Sequence, residues 1–217
     1  MIQYDYVAFD LDGTLLDTRK GIISAVIRTL KKWKMSIPDQ QTLENIIGPP
    51  MQLSLKTIYN LSDDKAMEIA NCFREEYTKE EFLFDATPYD GIFDLLQELI
   101  SKKINIGIAT YKREDYAKKL LHWFGFDKFT QHIFGSDFDG KLKKHDIIRL
   151  CLESMGCNDY SNSVYVGDGN SDGKGANILG MKFIAVTYGF GFKPNTEIEY
   201  PNIGIANTPS DIISILR

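Results

Sequence analysis

Histidine, cysteine and tryptophan are scarce in this chain, with three, three and two residues among 217. The cysteines, Cys72, Cys151 and Cys157, are odd in number and lack CxxC spacing, which argues against a disulfide framework or a thiolate zinc site and for free thiols in a reducing compartment. His122, His132 and His145 have no metal-ligand spacing and read as surface or packing residues; Trp33 and Trp123 read as packing residues on helices. No apolar run approaches the roughly 18 residues that cross a bilayer, so no membrane role is expected. The first residues, MIQYDYVAFD, show no basic region followed by an apolar stretch and a cleavage site, and a cytoplasmic protein is expected. Basic charge is not in excess either. A formal charge of −5 disfavours nonspecific attraction to nucleic acid, and KLKK at 141–144 is too short a cluster to change that. No internal repeat or low-complexity segment occurs.

What the chain does contain is an ordinary globular composition, 43% hydrophobic and 25% charged, in a length that suits one large domain or a core with an insertion. Strand-like runs recur at DYVAFD (5–10), INIGIAT (104–110), SVYVGD (163–168) and KFIAVT (182–187), with a weaker one at HIFGS (132–136). Helical periodicity fills the intervals at 92–102, 113–124, 144–155 and 172–179. This alternation predicts an α/β fold with a Rossmann-like, mostly parallel sheet covered by helices on both faces, and in such sheets ligands bind at the carboxyl ends of the strands. Residues 18–83 break the alternation. They carry helical stripes, Ile22, Ile23, Val26, Ile27 and Leu30 and then Ile69, Cys72, Phe73 and Tyr77, interrupted by a loop at Gly48, Pro49 and Pro50. The expected organisation is an α/β core of residues 1–16 and 85–217 with an all-helical insertion, 17–84.

VAFDLDGTLLD, residues 7–17, sets Asp10 and Asp12 where an apolar run stops. At about 4 Å and an effective dielectric near 20, two such carboxylates repel by about 4 kcal/mol. In a parallel sheet the strand ends would also bring Thr110 and Asp168 to the same edge, with Asp172 four residues beyond Asp168 in GDGNSD, whose glycines permit a tight turn. A hard cation would offset this gathering of carboxylates; magnesium takes its ligands from carboxylates, waters and substrate phosphate. Asp followed by Gly is often only a turn. The order and strand-end context of all the segments carry the inference.

DLDGT at 10–14, Thr110 ending the second strand, a lysine ahead of a helix and GDGNSD together resemble the four motifs of the haloacid dehalogenase superfamily, and the likeness spans nearly the whole chain. DGTLLDT, GPPM and VTYGFG, with the helical insertion after the first motif, look most like its phosphoglycolate phosphatase and β-phosphoglucomutase branch. The resemblance implies an Mg2+-dependent phosphatase acting on a small phosphorylated metabolite. Asp10 would be the nucleophile forming an aspartyl phosphate, and Asp12 the acid and base. The metal would be held by Asp10, the Asp12 backbone carbonyl and Asp168, with Asp172 a ligand or bonded to metal-bound water. The substrate phosphate would meet Gly13, Thr110, Tyr111 and a lysine. Lys141, Lys143 and Lys144 all lie in the right region, and KHDII selects Lys144. The sequence departs from the family pattern at Tyr111, Gly169 and Gly173 and in lacking a Lys-Pro pair. The insertion would act as a cap that excludes water, with GPPMQ at 48–52 contributing contacts, while Arg19 and Lys20 would either attract substrate or be solvated.

Rival readings differ in chemistry. A dehalogenase attacks carbon and has no use for Asp12. A sugar phosphomutase shares the acid and base and differs in retaining the phosphoenzyme. A noncatalytic phosphoacceptor or metal-binding module of the receiver kind is much shorter and lacks the insertion. The assembly is expected to be a monomer or homodimer.

Overall fold

The computed structural model describes residues 3–137 and 141–217. The chain divides into two compact units, one comprising Met1–Asp17 and Pro88–Arg217 and the other Thr18–Thr87. Among the described residues the first unit holds a six-stranded sheet of β1 (Tyr6–Phe9), β4 (Asn105–Arg113), β5 (Ile133–Ser136), β6 (Ser163–Gly167), β7 (Lys182–Val186) and β8 (Gly204–Ala206). Two further short strands, β2 (Leu16–Asp17) and β3 (Thr87–Pro88), lie where the chain passes between the units. The sheet order is β5-β4-β1-β6-β7-β8 with parallel pairing throughout. β1 is therefore central, flanked by β4 and β6, and connections leave it in both directions. That is a topological switch point, where the carboxyl ends of neighbouring strands open a crevice.

Helices α6 (Ile92–Ser101), α7 (Glu114–Trp123), α8 (Lys144–Ser154), α9 (Asn170–Ile178) and α10 (Pro209–Leu216) flank this sheet. Val7, Ala8 and Phe9 are all fully buried, as a strand covered on both faces requires. Small residues decide how closely α8 approaches. A Cβ on Gly107 would fall 2.4 Å from Cys151 Sγ, and Ala8 and Ala109 lie in the same buried cluster as Ile147, Ile148 and Cys151 of α8. Gly175 does the same for α9: a Cβ there would come within 2.9 Å of Ile148 and 3.1 Å of Lys144 Cγ. Close helix packing thus sets the first residue of α8, Lys144, against the sheet edge.

The second unit is helical: α1 (Arg19–Lys32), α2 (Gln40–Asn45), α3 (Met51–Tyr59), α4 (Asp63–Tyr77) and α5 (Glu80–Leu83). Ser62 and Asp39 cap α4 and α2 through their side-chain oxygens. Glu76 on α4 is 2% exposed and pairs with Arg28 Nε at 3.0 Å, with Lys32, and with Lys79 Nζ at 2.6 Å. It ties α1 to α4.

Several expectations need correction. Trp123 is 64% exposed, because the last turn of α7 turns its apolar residue away from the sheet. Ile100, an apolar position of the helical pattern at 92–102, is exposed. β4 runs to Arg113 rather than stopping at Thr110, and α9 starts at Asn170, so Asp172 sits inside its first turn. Of GPPMQ, the last two residues, Met51 and Gln52, belong to α3. β8 and α10 had no counterpart in the sequence pattern as read above.

Candidate active site

The carboxyl ends of three adjacent strands deliver the polar residues. Asp10 follows β1, its N–H donating to Val166 O at 2.9 Å; Thr110 lies in β4; Asp168 follows β6. Asp10, Thr110, Lys144, Asp168 and Asp172 are all buried, at 7% exposure or less. Carboxylate oxygens of Asp10, Asp168 and Asp172 lie within 4.8 Å of one another. One ammonium reaches into this group: Lys144 Nζ donates to Asp10 Oδ1 at 2.7 Å and lies 2.8 Å from Asp172 Oδ1. That second contact is an ion pair outside hydrogen-bond geometry. Lys141 and Lys143 are exposed, so of the three candidate lysines the fold brings only Lys144 to the carboxylates.

Three carboxylates against one ammonium leave the cluster underneutralised, and the titration behaviour follows. Burial, opposed by Lys144 and aided by Asp172 and Asp12, pushes the Asp10 carboxyl up to about 6. Burial, with Asp172 and Asp10 beside it, pushes Asp168 to about 8 despite two backbone N–H bonds. Burial alone would lower Lys144, but Asp10 and Asp172 hold it above its ordinary value, so it is an ammonium. Buried oxygens in surplus, with no histidine or cysteine among them, are the donor set of a hard divalent cation and fit Mg2+.

Much of the support is backbone and was invisible in the residue types. Asp168 Oδ2 accepts N–H bonds from Phe190 at 2.6 Å and Gly191 at 3.1 Å, while its carbonyl accepts from Phe192 N at 2.6 Å. Tyr188 anchors the start of this segment by donating from its hydroxyl to Thr14 O at 3.1 Å. The fit is tight: a Cβ on Gly13, whose φ is 82°, would fall 2.2 Å from Asp168 Oδ2, and one on Gly189 would fall 2.2 Å from Gly13 O. YGFG, read from sequence only as a family signature, is the cradle of Asp168. GDGNSD also works differently from expectation. Gly169 has φ −136°, so no left-handed turn is needed there; Gly167 is required for room, since a Cβ on it would fall 2.4 Å from Asp172 Cγ. Asp172 Oδ2 in turn accepts the Gly169 N–H at 3.0 Å.

Asp12 stands apart. Its side chain is outside the three-carboxylate group and pairs through Oδ1 with Lys112 Nζ at 3.0 Å. Nothing in the sequence pattern had singled out Lys112. Tyr111 supports the start of α8, where its hydroxyl accepts the Lys144 backbone N–H at 2.9 Å, one of the first-turn donors that a helix cannot satisfy itself. The Tyr111 and Tyr165 rings both lie 5.5 Å from Lys144 Nζ. The three histidines are elsewhere, paired with Asp127, Ser154 and Asp146. Lys20 is ion-paired with Asp85.

Comparisons with known proteins identify the family. The profile of the haloacid dehalogenase-like hydrolase family matches residues 7–186. A 5'-nucleotidase of Pseudomonas aeruginosa is 33% identical over 201 residues, covering 92% of this chain and 90% of that protein. A phosphoglycolate phosphatase of Aquifex aeolicus is 27% identical, covering 97% and 95%. A crystal structure described as a predicted phosphatase from Clostridium acetobutylicum superposes with a TM-score of 0.87 at 33% identity over 97% of each chain.

Proposed function

Since this chain belongs to the haloacid dehalogenase-like hydrolase family and is a phosphatase of that family, we propose that it hydrolyses a small phosphate monoester through an aspartyl phosphate on Asp10, with Mg2+ as its cofactor. The observation that carries the reading is the buried Asp10, Asp168 and Asp172 group with Lys144 at its centre. Those three carboxylates would hold the cation, whose charge offsets theirs and that gathering on the phosphoryl oxygens.

The chain's own residues supply the rest. An Asp10 carboxylate oxygen forms a bond to phosphorus as the ester P–O bond breaks; the electron pair leaves on the alkoxide oxygen, which takes a proton from Asp12. In the second half, a water oxygen bonds to phosphorus, its proton passes to Asp12, and the Asp10 O–P bond breaks to return the carboxylate and release phosphate. The sum is ester and water to alcohol and phosphate. Lys144 and the Thr110 hydroxyl face the phosphoryl oxygens in this scheme, where positioning and neutralisation of charge do most of the catalysis. Resemblance to a 5'-nucleotidase and a phosphoglycolate phosphatase supports monoesters as the substrate class.

A phosphate-release screen over nucleoside monophosphates, phosphoglycolate and sugar phosphates, with Mg2+ or with EDTA, tests this. Turnover should require the metal, and Asp10→Asn should abolish it while far-UV circular dichroism stays unchanged. Normal activity in Asp10→Asn, or equal activity in EDTA, refutes the reading.

A further inference from the structure

Lys112 is 5% exposed at its side chain and Asp12 is 14% exposed, and the two meet at 3.0 Å. A lysine buried to this degree is uncommon without a partner of opposite charge. The backbone that carries it is also specified. The pairing of β4 with β5 changes register between Ala109 and Arg113, and the Lys112 N–H turns back to Thr110 Oγ1 at 3.1 Å. β5 accommodates this irregular stretch only because residue 135 is glycine: a Cβ there would fall 2.5 Å from both Lys112 O and Glu114 Cα. Two buried ammonium groups thus divide the work, Lys144 among Asp10 and Asp172 and Lys112 at Asp12.

We propose that Lys112 is a positioning residue that holds the Asp12 carboxylate in the direction from which it exchanges a proton with the leaving oxygen. The role rests on the phosphatase reading above. Its physical content is orientation: a carboxylate fixed at one oxygen by a buried ammonium keeps one rotamer, and a proton donor must be within hydrogen-bond reach of the oxygen it serves. An alkoxide cannot depart without that proton, whereas p-nitrophenolate can. Loss of Lys112 should therefore be felt according to the leaving group.

The test compares kcat/KM, which covers steps only through departure of the alcohol, for an alkyl phosphate and for p-nitrophenyl phosphate in Mg2+. Lys112→Met should lower the alkyl value about a hundredfold and the aryl value by no more than about threefold, on the scale of general acid catalysis. Lys112→Arg should recover most of the alkyl rate. In a cycle with Asp12→Asn the two losses should not add, because both remove one function. If Lys112→Met does not fold, Lys112→Gln carries the same expectation. Equal losses on both esters, no loss, or additive losses in the cycle overturn the role while leaving the phosphatase reading intact. Absence of turnover in the unsubstituted protein overturns both.

Discussion

Replacing Asp168 with asparagine should make the metal-free protein more stable in weak base, and the gain should vanish in mild acid. The Asp168 carboxyl is displaced from 3.8 to about 8, first by burial and then by Asp172 and Asp10. Such a group binds its proton more tightly in the folded than in the unfolded chain. Its contribution to stability is therefore fully present below 3.8 and is lost as the pH rises through about 8. One proton held in excess by the folded state gives a slope of about 1.4 kcal/mol per pH unit. Between pH 6 and 8 the EDTA-treated protein should accordingly lose about 2 kcal/mol through this residue. Below about 6 Asp10 adds a second proton, and the slope steepens. The amide of Asp168→Asn keeps an oxygen where Oδ2 accepts the Phe190 and Gly191 N–H groups, so the cradle is retained while the ionisable group is gone. Urea unfolding followed by circular dichroism at several pH values would show the two proteins converging as the pH falls toward 3.8 and diverging toward pH 8. Added Mg2+ should stabilise only the unsubstituted protein, and more so at higher pH, since the cation displaces protons. Parallel stability curves, or an unsubstituted protein that gains stability from pH 6 to 8 without metal, would refute the electrostatic account of the cluster.

Gly189→Ala pushes a methyl group to within 2.5 Å of Asp168 Oδ2 and 2.2 Å of Gly13 O; misplacement on the ångström scale can lower turnover about a hundredfold, and phosphate release titrated against Mg2+ should show both a lower rate and weaker metal dependence. Tyr111→Phe removes the acceptor of the Lys144 N–H and should cost about 1 kcal/mol, read from the urea midpoint. Glu76→Gln removes three cationic contacts in the helical unit. Because the partners are half-exposed, the expected loss is about 1 to 2 kcal/mol, reduced by salt. Hydrogen bonds from Lys32 and Lys79 hold the Glu76 carboxyl below its ordinary value, so its stabilisation is present above about pH 4.5 and fades as the pH falls through the lowered value. A salt- and pH-independent difference would show that packing, not charge, is at stake.

The order of strands and helices was legible because each buried strand is a short β-rich run and each helix an apolar stripe, and Asp10, Thr110 and Asp168 stand where those runs end. Lys144 was legible only through the family resemblance, in which KHDII selects it from three candidate lysines; in the fold it is the first residue of α8. β8 has only three residues, too few for alternation to register. α10 did carry a signal: Thr208 followed by Pro209 and Asp211 marks a helix start, and the Thr208 N–H bonds Asp211 Oδ2 at 2.8 Å. At Trp123 hydropathy misled, since an apolar residue in a last turn can face water.

The parts of the site that resisted reading share a cause. Phe190, Gly191 and Phe192 act on Asp168 through backbone N–H groups, which every residue but proline possesses, so no residue type announces them. Gly167, Gly189 and Gly135 act by the volume they leave empty, and that volume exists only after distant segments have met. Lys112 sits in TYKRED, where a charged residue after an apolar strand ordinarily reads as solvated; its burial follows from the register change of β4 against β5, a tertiary event. Sequence pattern thus reports where chemistry-bearing side chains leave the core, whereas what holds them in place is written in contacts between segments far apart in the chain. Gly135→Ala should therefore impair turnover without touching Asp10, Asp12, Asp168 or Asp172, by displacing the backbone at Lys112 and Glu114.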